Sequence, residues 1–257
     1  MLTMTVAATS QHLSNGIDRY FEAIRSLQTQ VIESQHDRLI KIAGMMADTI
    51  ARDDRIFVFG TGHSHLLAEE GHFRAGGLAA VVPILSTSLT LHTNARDNAI
   101  MEHTSGIAAP LLDRYQPQSN EMLFIFSNSG VNEVPIEMAL AAKARGLIVI
   151  AICSIGYARI APLSSIGQRL IDLADDTIDN GGEPGDSLIP IGDLPWRVGP
   201  SSTVIGALIW NCLITEAAQQ LHARSIEVPI YASANMPGAR EHNAGLLEKW
   251  QTRNPHL

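Results

Sequence analysis

Three short stretches of this chain gather residue types that hold anions, and a fourth gathers those that move protons. In "RIFVFGTGHSHLLAEEGH", residues 55–72, an apolar run breaks at Gly60 and Gly62 and passes through His63, Ser64 and His65 into a helical pattern. Glycines there let the backbone approach a ligand, and the first helical N–H groups remain free to point at an anion. In "FIFSNSGVNEVPIEMA", Ser127, Asn128, Ser129 and Gly130 lie between another apolar run and a helix start. In "VGPSSTVIGALIW", Ser201, Ser202 and Thr203 open a long apolar helix. Any one of these groups could simply cap its helix. Three in one chain point to a phosphate cradle made of hydroxyls and helix ends.

The proton-moving candidates are carboxylates and imidazoles. The connection "STSLTLHTNARDNAIMEHTSG", residues 86–106, carries His92, Asn94, Arg96, Asp97, Glu102 and His103 in a chain with only 17% charged residues. Long polar connections of this kind commonly carry function. Glu102 reads as a base with His103 beside it, and Glu70 in the first stretch is the next choice. His65 and Glu69, at i and i+4, offer two metal donors, too few for a site, so no metal or other cofactor is expected.

Elements must hold these residues in place. The apolar runs "IFVFG", "AAVVPIL", "EMLFIFS" and "LIVIAICS" read as strands of a parallel sheet covered on both faces, with a weaker fifth at "DTIDN". Helical patterns alternate with them: Asn132 can cap a segment from Glu133, Pro135 suits its first turn, and Gly146 stops it. Ile17, Tyr20, Phe21, Ile24, Leu27 and Val31 share one face, and Leu39, Ile42, Met46 and Ile50 another, which predicts two helices before the first strand. The fold class is α/β, a doubly wound five-stranded parallel sheet with N-terminal helices packed on it; such sheets bind ligands beyond the carboxyl ends of their strands.

Composition narrows the partners. A formal charge of −8 with no Lys/Arg cluster argues against nucleic acid, whose binding rests on neutralised phosphates. Backbone dipoles and hydroxyls can still hold a small anion. Cys153 and Cys212 sit in apolar runs and read as buried thiols. The chain shows no secretory pattern and no membrane-length apolar run, so a cytoplasmic protein without membrane contact is expected. A dinucleotide fingerprint would need a third glycine where His65 stands and a carboxylate in "STSLTLH", and neither is present.

"GTGHS", "SNSGVNE" and "PSSTV" resemble the three signature turns of the SIS, or sugar isomerase, domain family, over roughly residues 15–222. "GTGHSH", "RAGGL" and "SANMPGAREHN" further resemble the stand-alone bacterial UPF0309 group. The resemblance implies phosphosugar binding in dimers or tetramers. Ser64, Ser127, Ser129, Ser202 and Thr203 would hold the sugar phosphate, Gly60 and Gly62 would give it room, and Asn132 stands where many relatives carry threonine. It also implies aldose–ketose isomerisation or a related deamination, with a non-catalytic sugar-phosphate sensor as the alternative. Phosphoheptose isomerases, which are relatives, hold zinc. An etherase acting on N-acetylmuramic acid 6-phosphate is disfavoured, because "HLLAEEGHF" lacks its carboxylate-rich pattern.

The expected division is an N-terminal helical extension (1–52), a phosphosugar-binding domain (53–225) and a C-terminal tail (226–257). The tail has too few regularly spaced apolar residues for a core element. By resemblance in placement to the closing segment of glucosamine-6-phosphate synthase, it is expected to fold over a sugar site, its own or a partner's, in a homodimer. His242 or Asn243 would touch the sugar, and the chain should fold without residues after Ala234.

Overall fold

The computed structural model describes residues 15–257 apart from Thr93. Helix α1 (Gly16–Ala51) starts at Asn15, whose side chain accepts from the Asp18 N–H, and runs unbroken for 36 residues. Two helices were expected. No glycine or proline interrupts residues 17–43, however, and Ile24, Leu27, Val31, Leu39, Ile42, Met46 and Ile50 form one buried stripe at spacings of three, four and eight. The two apparent faces are one stripe, crossed at its middle by the half-buried Gln35.

Strands β1 (Ile56–Gly60), β2 (Val81–Pro83), β3 (Met122–Phe126), β4 (Ile148–Cys153) and β5 (Asp176–Asp179) form one parallel sheet in the order β2-β1-β3-β4-β5. The helices between them are α2 (His65–Glu70), α3 (Ala95–Met101), α4 (Ala108–Asp113), α5 (Glu133–Ala144), α6 (Ile155–Ile160) and α7 (Leu170–Leu173), followed after β5 by α8 (Ser202–Ala223) and α9 (Ala239–Trp250). Alternate strand residues feed two cores. Ile56, Val58, Phe124 and Phe126 pack with α1 and α8, whereas Phe57, Phe59, Leu123 and Ile125 pack with α4 and α5. Burial on both faces explains why these strands read as continuous apolar runs. The chain leaves β1 for β2 on one side and returns to β3 on the other, which opens a crevice at the carboxyl ends of β1 and β3. Gly60 pairs with Phe126, so the turns that follow leave the sheet side by side.

Two elements were not foreseen. An antiparallel hairpin, β6 (Ser187–Pro190) and β7 (Arg197–Pro200), stands between β5 and α8. The second is α9, and it corrects the reading of the tail: Leu246 and Trp250 are buried in the core on the α1–α8 side of the sheet, with Trp250 only 1% exposed. Residues 229–231 run antiparallel beside residues 76–79, with Ala79 N donating to Pro229 O (2.8 Å) and Tyr231 N to Gly77 O (2.9 Å). Truncation after Ala234 therefore removes part of the core. Among the described residues no helix is long and apolar enough to cross a membrane. Cys153 is buried, and desolvation, with the nearby Asp179 adding to the effect, pushes its thiol up to about 12, in keeping with the expected buried thiol.

Candidate functional site

The first turn is compact because Gly60 lacks a side chain: a Cβ there would lie 2.4 Å from the Ser64 carbonyl oxygen. Gly62 takes the left-handed φ of +54° that turns the chain toward α2. His63 is exposed and Ser64 half-buried at this corner. In the second turn the Gly130 N–H donates to Ser127 Oγ (3.3 Å), and Asn180 Nδ2 donates to Asn128 Oδ1 (2.9 Å). Asn128 Nδ2 is buried with no partner among the described residues. Asn132 occupies the N-cap position of α5, but its side chain makes no capping bond.

Glu102 and His103, at the end of α3, join these two turns. Thr61 Oγ1 donates to Glu102 Oε2 at 3.0 Å. His103 Nδ1 bonds Glu133 Oε2 at 2.9 Å, and its Nε2 lies 3.8 Å from Glu102 Oε1. A carboxylate only accepts, so the proton of this bond sits on Nδ1 and Nε2 faces Glu102. Glu133 is buried and would be pushed up by desolvation. The hydrogen bond from His103, with those from its own backbone and from Ser165, instead holds its carboxyl below the usual carboxylate range. Ser165 supplies its N–H (3.3 Å) and hydroxyl (3.4 Å) to Glu133 Oε1. The arrangement is an imidazole oriented by one carboxylate and presented to another, a unit that can take up and return a proton.

The third turn is engaged from within the chain. Asp186 Oδ1 accepts from Ser201 N (3.1 Å), Ser201 Oγ (3.1 Å) and Ser202 N (2.8 Å), and Oδ2 accepts from the Ser202 hydroxyl (2.6 Å). Asp186 adopts φ +63° to reach them. Ser201 is fully buried, and Ser202 and Thr203 are half-buried. The expected anion at this helix end is thus met by a carboxylate of the protein itself. Asp186→Ala is expected to lower stability by about 1.5–3 kcal/mol, the usual effect of losing hydrogen bonds to a charged cap. A urea midpoint equal to wild type would show that Asp186 does not hold α8.

Other expected residues lie elsewhere. Glu70 pairs with Arg74 and accepts from Asn211 Nδ2 (3.1 Å) on α8. His242 Nε2 bonds Ile230 O (2.7 Å), and Asn243 both accepts from Ala232 N (2.9 Å) and donates to Ala232 O (2.8 Å). These two brace the loop at residues 230–232. A different tail residue, His256, reaches the strand ends: its Nε2 bonds the Tyr115 hydroxyl (2.8 Å), and it lines a cavity of about 450 Å³ with Glu69, Ser86, Thr90, His92 and Arg114. Beside this cavity the fold adds His92 to the His65–Glu69 pair, so three donor atoms lie within 4.8 Å of one another. His92 was singled out in the polar connection, but no spacing rule could have joined it to His65 and Glu69, or found Asp186, because each meets its partners only through the tertiary fold.

Residues 19–154 match the SIS domain. UPF0309 proteins of Brucella canis and Brucella anthropi are 39% and 38% identical to this chain over 240 residues, covering 93% of it and 98% of each relative. A phosphoheptose isomerase structure from Francisella tularensis is similar in fold, with a TM-score of 0.50 and 14% identity over 79% of this chain and 96% of that one. The sugar isomerase domain of an RpiR transcription factor from Sphaerobacter thermophilus is similar to the same degree, with a TM-score of 0.50 and 14% identity over 91% of this chain and 96% of that one. With more than half of its length matched to the domain and nearly all of it matched to the UPF0309 proteins, the chain belongs to the SIS domain family.

Proposed function

We propose that the protein binds a sugar phosphate at the paired turns after β1 and β3 and catalyses its aldose–ketose isomerisation by proton transfer. One observation carries the reading: the Glu102–His103 pair is hydrogen-bonded to both turns, through Thr61 on one side and Glu133 on the other. A phosphate held by Ser64, Ser127, Ser129, Asn132 and the first N–H groups of α5 would place the sugar carbons beside that pair. Glu102 would remove the proton from the carbon next to the carbonyl, and His103 would serve the oxygen. The similarity in fold to a phosphoheptose isomerase favours an isomerase reading, while the roles of Glu102 and His103 rest on their geometry alone. The RpiR domain, equally similar, supports a second reading, a sugar-phosphate sensor without turnover. Ile17, Phe21, Leu194 and Trp196 are exposed on α1 and the hairpin loop, and we assign them to a homodimer contact.

Calorimetric titration of phosphorylated and unphosphorylated sugars tests the binding claim. Ser129→Ala combined with Asn132→Ala removes two side chains whose hydroxyl and amide bond nothing among the described residues, Asn132 making no cap bond to α5, and is expected to weaken sugar-phosphate binding about a hundredfold without unfolding the chain. Ser202→Ala, whose hydroxyl serves Asp186, should leave affinity within about threefold. Equal affinity in the double variant and wild type would sink the cradle. Tight binding with no turnover would favour the sensor.

A further inference from the structure

We propose that His65, Glu69 and His92 bind a divalent transition-metal cation, zinc by preference, and that this cation fastens the connection carrying Glu102 and His103 onto α2. The donor spacing is that of a coordination polyhedron. His65 Nε2 and His92 Nε2 are 3.3 Å apart, and Glu69 Oε1 lies 3.6 Å from the first and 3.7 Å from the second. Ligands bound tetrahedrally at roughly 2.0–2.2 Å are separated by about 3.3–3.6 Å, the edge of the tetrahedron.

The tautomer of His65 fits as well. Its Nδ1 bonds the Gly62 carbonyl, which accepts only, so the ring proton is fixed there and the Nε2 lone pair is left pointing at His92 and Glu69. His65 is 2% exposed, so water has little access to that lone pair. A single proton on His92 Nε2 can serve one of these two acceptors fully, whereas a cation satisfies all three donors together. Two imidazole nitrogens and one carboxylate suit zinc or cobalt, and an oxygen-seeking cation such as magnesium or calcium poorly. The fourth vertex is open to an exogenous oxygen, since Glu69 and His92 line the cavity that also holds Ser86, Thr90, Arg114 and His256.

The ligands come from two separate elements. His65 and Glu69 belong to α2, whereas His92 lies two residues before Asn94, the residue whose side chain caps α3 by accepting from Arg96 N (2.9 Å). Helix α3 ends at Met101, with Glu102 as its C-cap. A cation at this point therefore ties the start of the segment whose end carries the proton-transfer pair. The inference stands whether or not the protein is an isomerase, because its test reads binding and backbone protection.

The untagged full-length chain, stripped with a chelator and dialysed, is titrated with zinc and cobalt salts by calorimetry and absorption. The expected result is one cation per chain, a melting temperature raised by about 5 °C at a hundredfold excess over Kd, and slower amide exchange across residues 86–103. His92→Ala, on an exposed loop, should weaken binding about tenfold or more and abolish the exchange effect. His92→Cys should restore binding and add a sulfur-to-cobalt charge-transfer band. Absence of stoichiometric binding, or binding equally tight in His92→Ala and His65→Asn, overturns the site. Stoichiometric binding with unchanged exchange in residues 86–103 overturns the fastening.

Discussion

Glu102→Gln is expected to slow solvent-proton exchange at the second carbon of a bound ketose phosphate by about 10²–10⁴-fold while leaving binding nearly intact. The amide keeps the shape of the carboxylate and can still accept from Thr61 Oγ1, so the turn and α3 should stay in place. What it loses is the ability to take a proton. Deuterium incorporation from heavy water, followed by proton NMR on the sugar, measures this directly. Glu133→Gln should act more weakly and through His103, because Glu133 orients the imidazole from a buried position behind it. The Glu133 carboxyl is held below its ordinary range, so its stabilising contribution is complete above the unfolded carboxylate pKa and is lost as pH falls through the folded value. Undiminished deuterium uptake in Glu102→Gln would remove Glu102 from the chemistry.

Glu121→Ala is expected to cost about 3–5 kcal/mol, a large share of a typical domain's stability. Glu121 is fully buried under the sheet and accepts from Arg55 Nε (2.6 Å), Arg55 Nη2 (2.8 Å), the Arg55 N–H (3.1 Å) and the Gln118 N–H (2.7 Å). Arg55 in turn donates to the carbonyls of Tyr115, Gln116 and Arg253, so one ion pair joins β1, the approach to β3 and the end of the tail. Removing the carboxylate strands the guanidinium in the interior. The double variant Arg55→Met with Glu121→Leu should recover most of the loss, because an apolar pair asks for no compensation. Guanidinium unfolding of the three proteins decides the matter. A loss below about 1 kcal/mol in Glu121→Ala would mean that water reaches the site.

Four of the five strands were legible because burial leaves a strong mark: β1, β3 and β4 are apolar runs with a small or polar residue at or just beyond their ends, whereas β5, half-buried and charged, reads only weakly. The turns after β1 and β3 were legible for the same reason, since a glycine or serine just beyond such a run has few structural explanations. The hairpin was not. Its strands are mostly exposed or half-buried and end in Pro190 and Pro200, so they carry neither an apolar run nor clean alternation. Helix α9 escaped notice because it is anchored by few side chains, chiefly Leu246 and Trp250, and periodicity cannot weigh one tryptophan against a polar surface. At the third turn, the sequence presents Ser201 and Ser202 as free donors. Their partner, Asp186, lies across a hairpin that was itself unseen.

The strap formed by residues 229–231 has a consequence for how the chain comes off the ribosome. Open sheet edges recruit strands from other molecules, and each edge of this sheet has its own protection. At one edge β5 is short and charged, with Asp176 paired to Arg38 and Lys41. At the other, β2 is three residues long and ends in Pro83, and the backbone just ahead of it is covered by the strap. Residues 76–79 are synthesised long before residues 229–231, so that flank stays uncovered until the strap itself has been made. The nascent chain is therefore most prone to self-association in the interval after β5 has been made and before residues 229–231 can close over the flank.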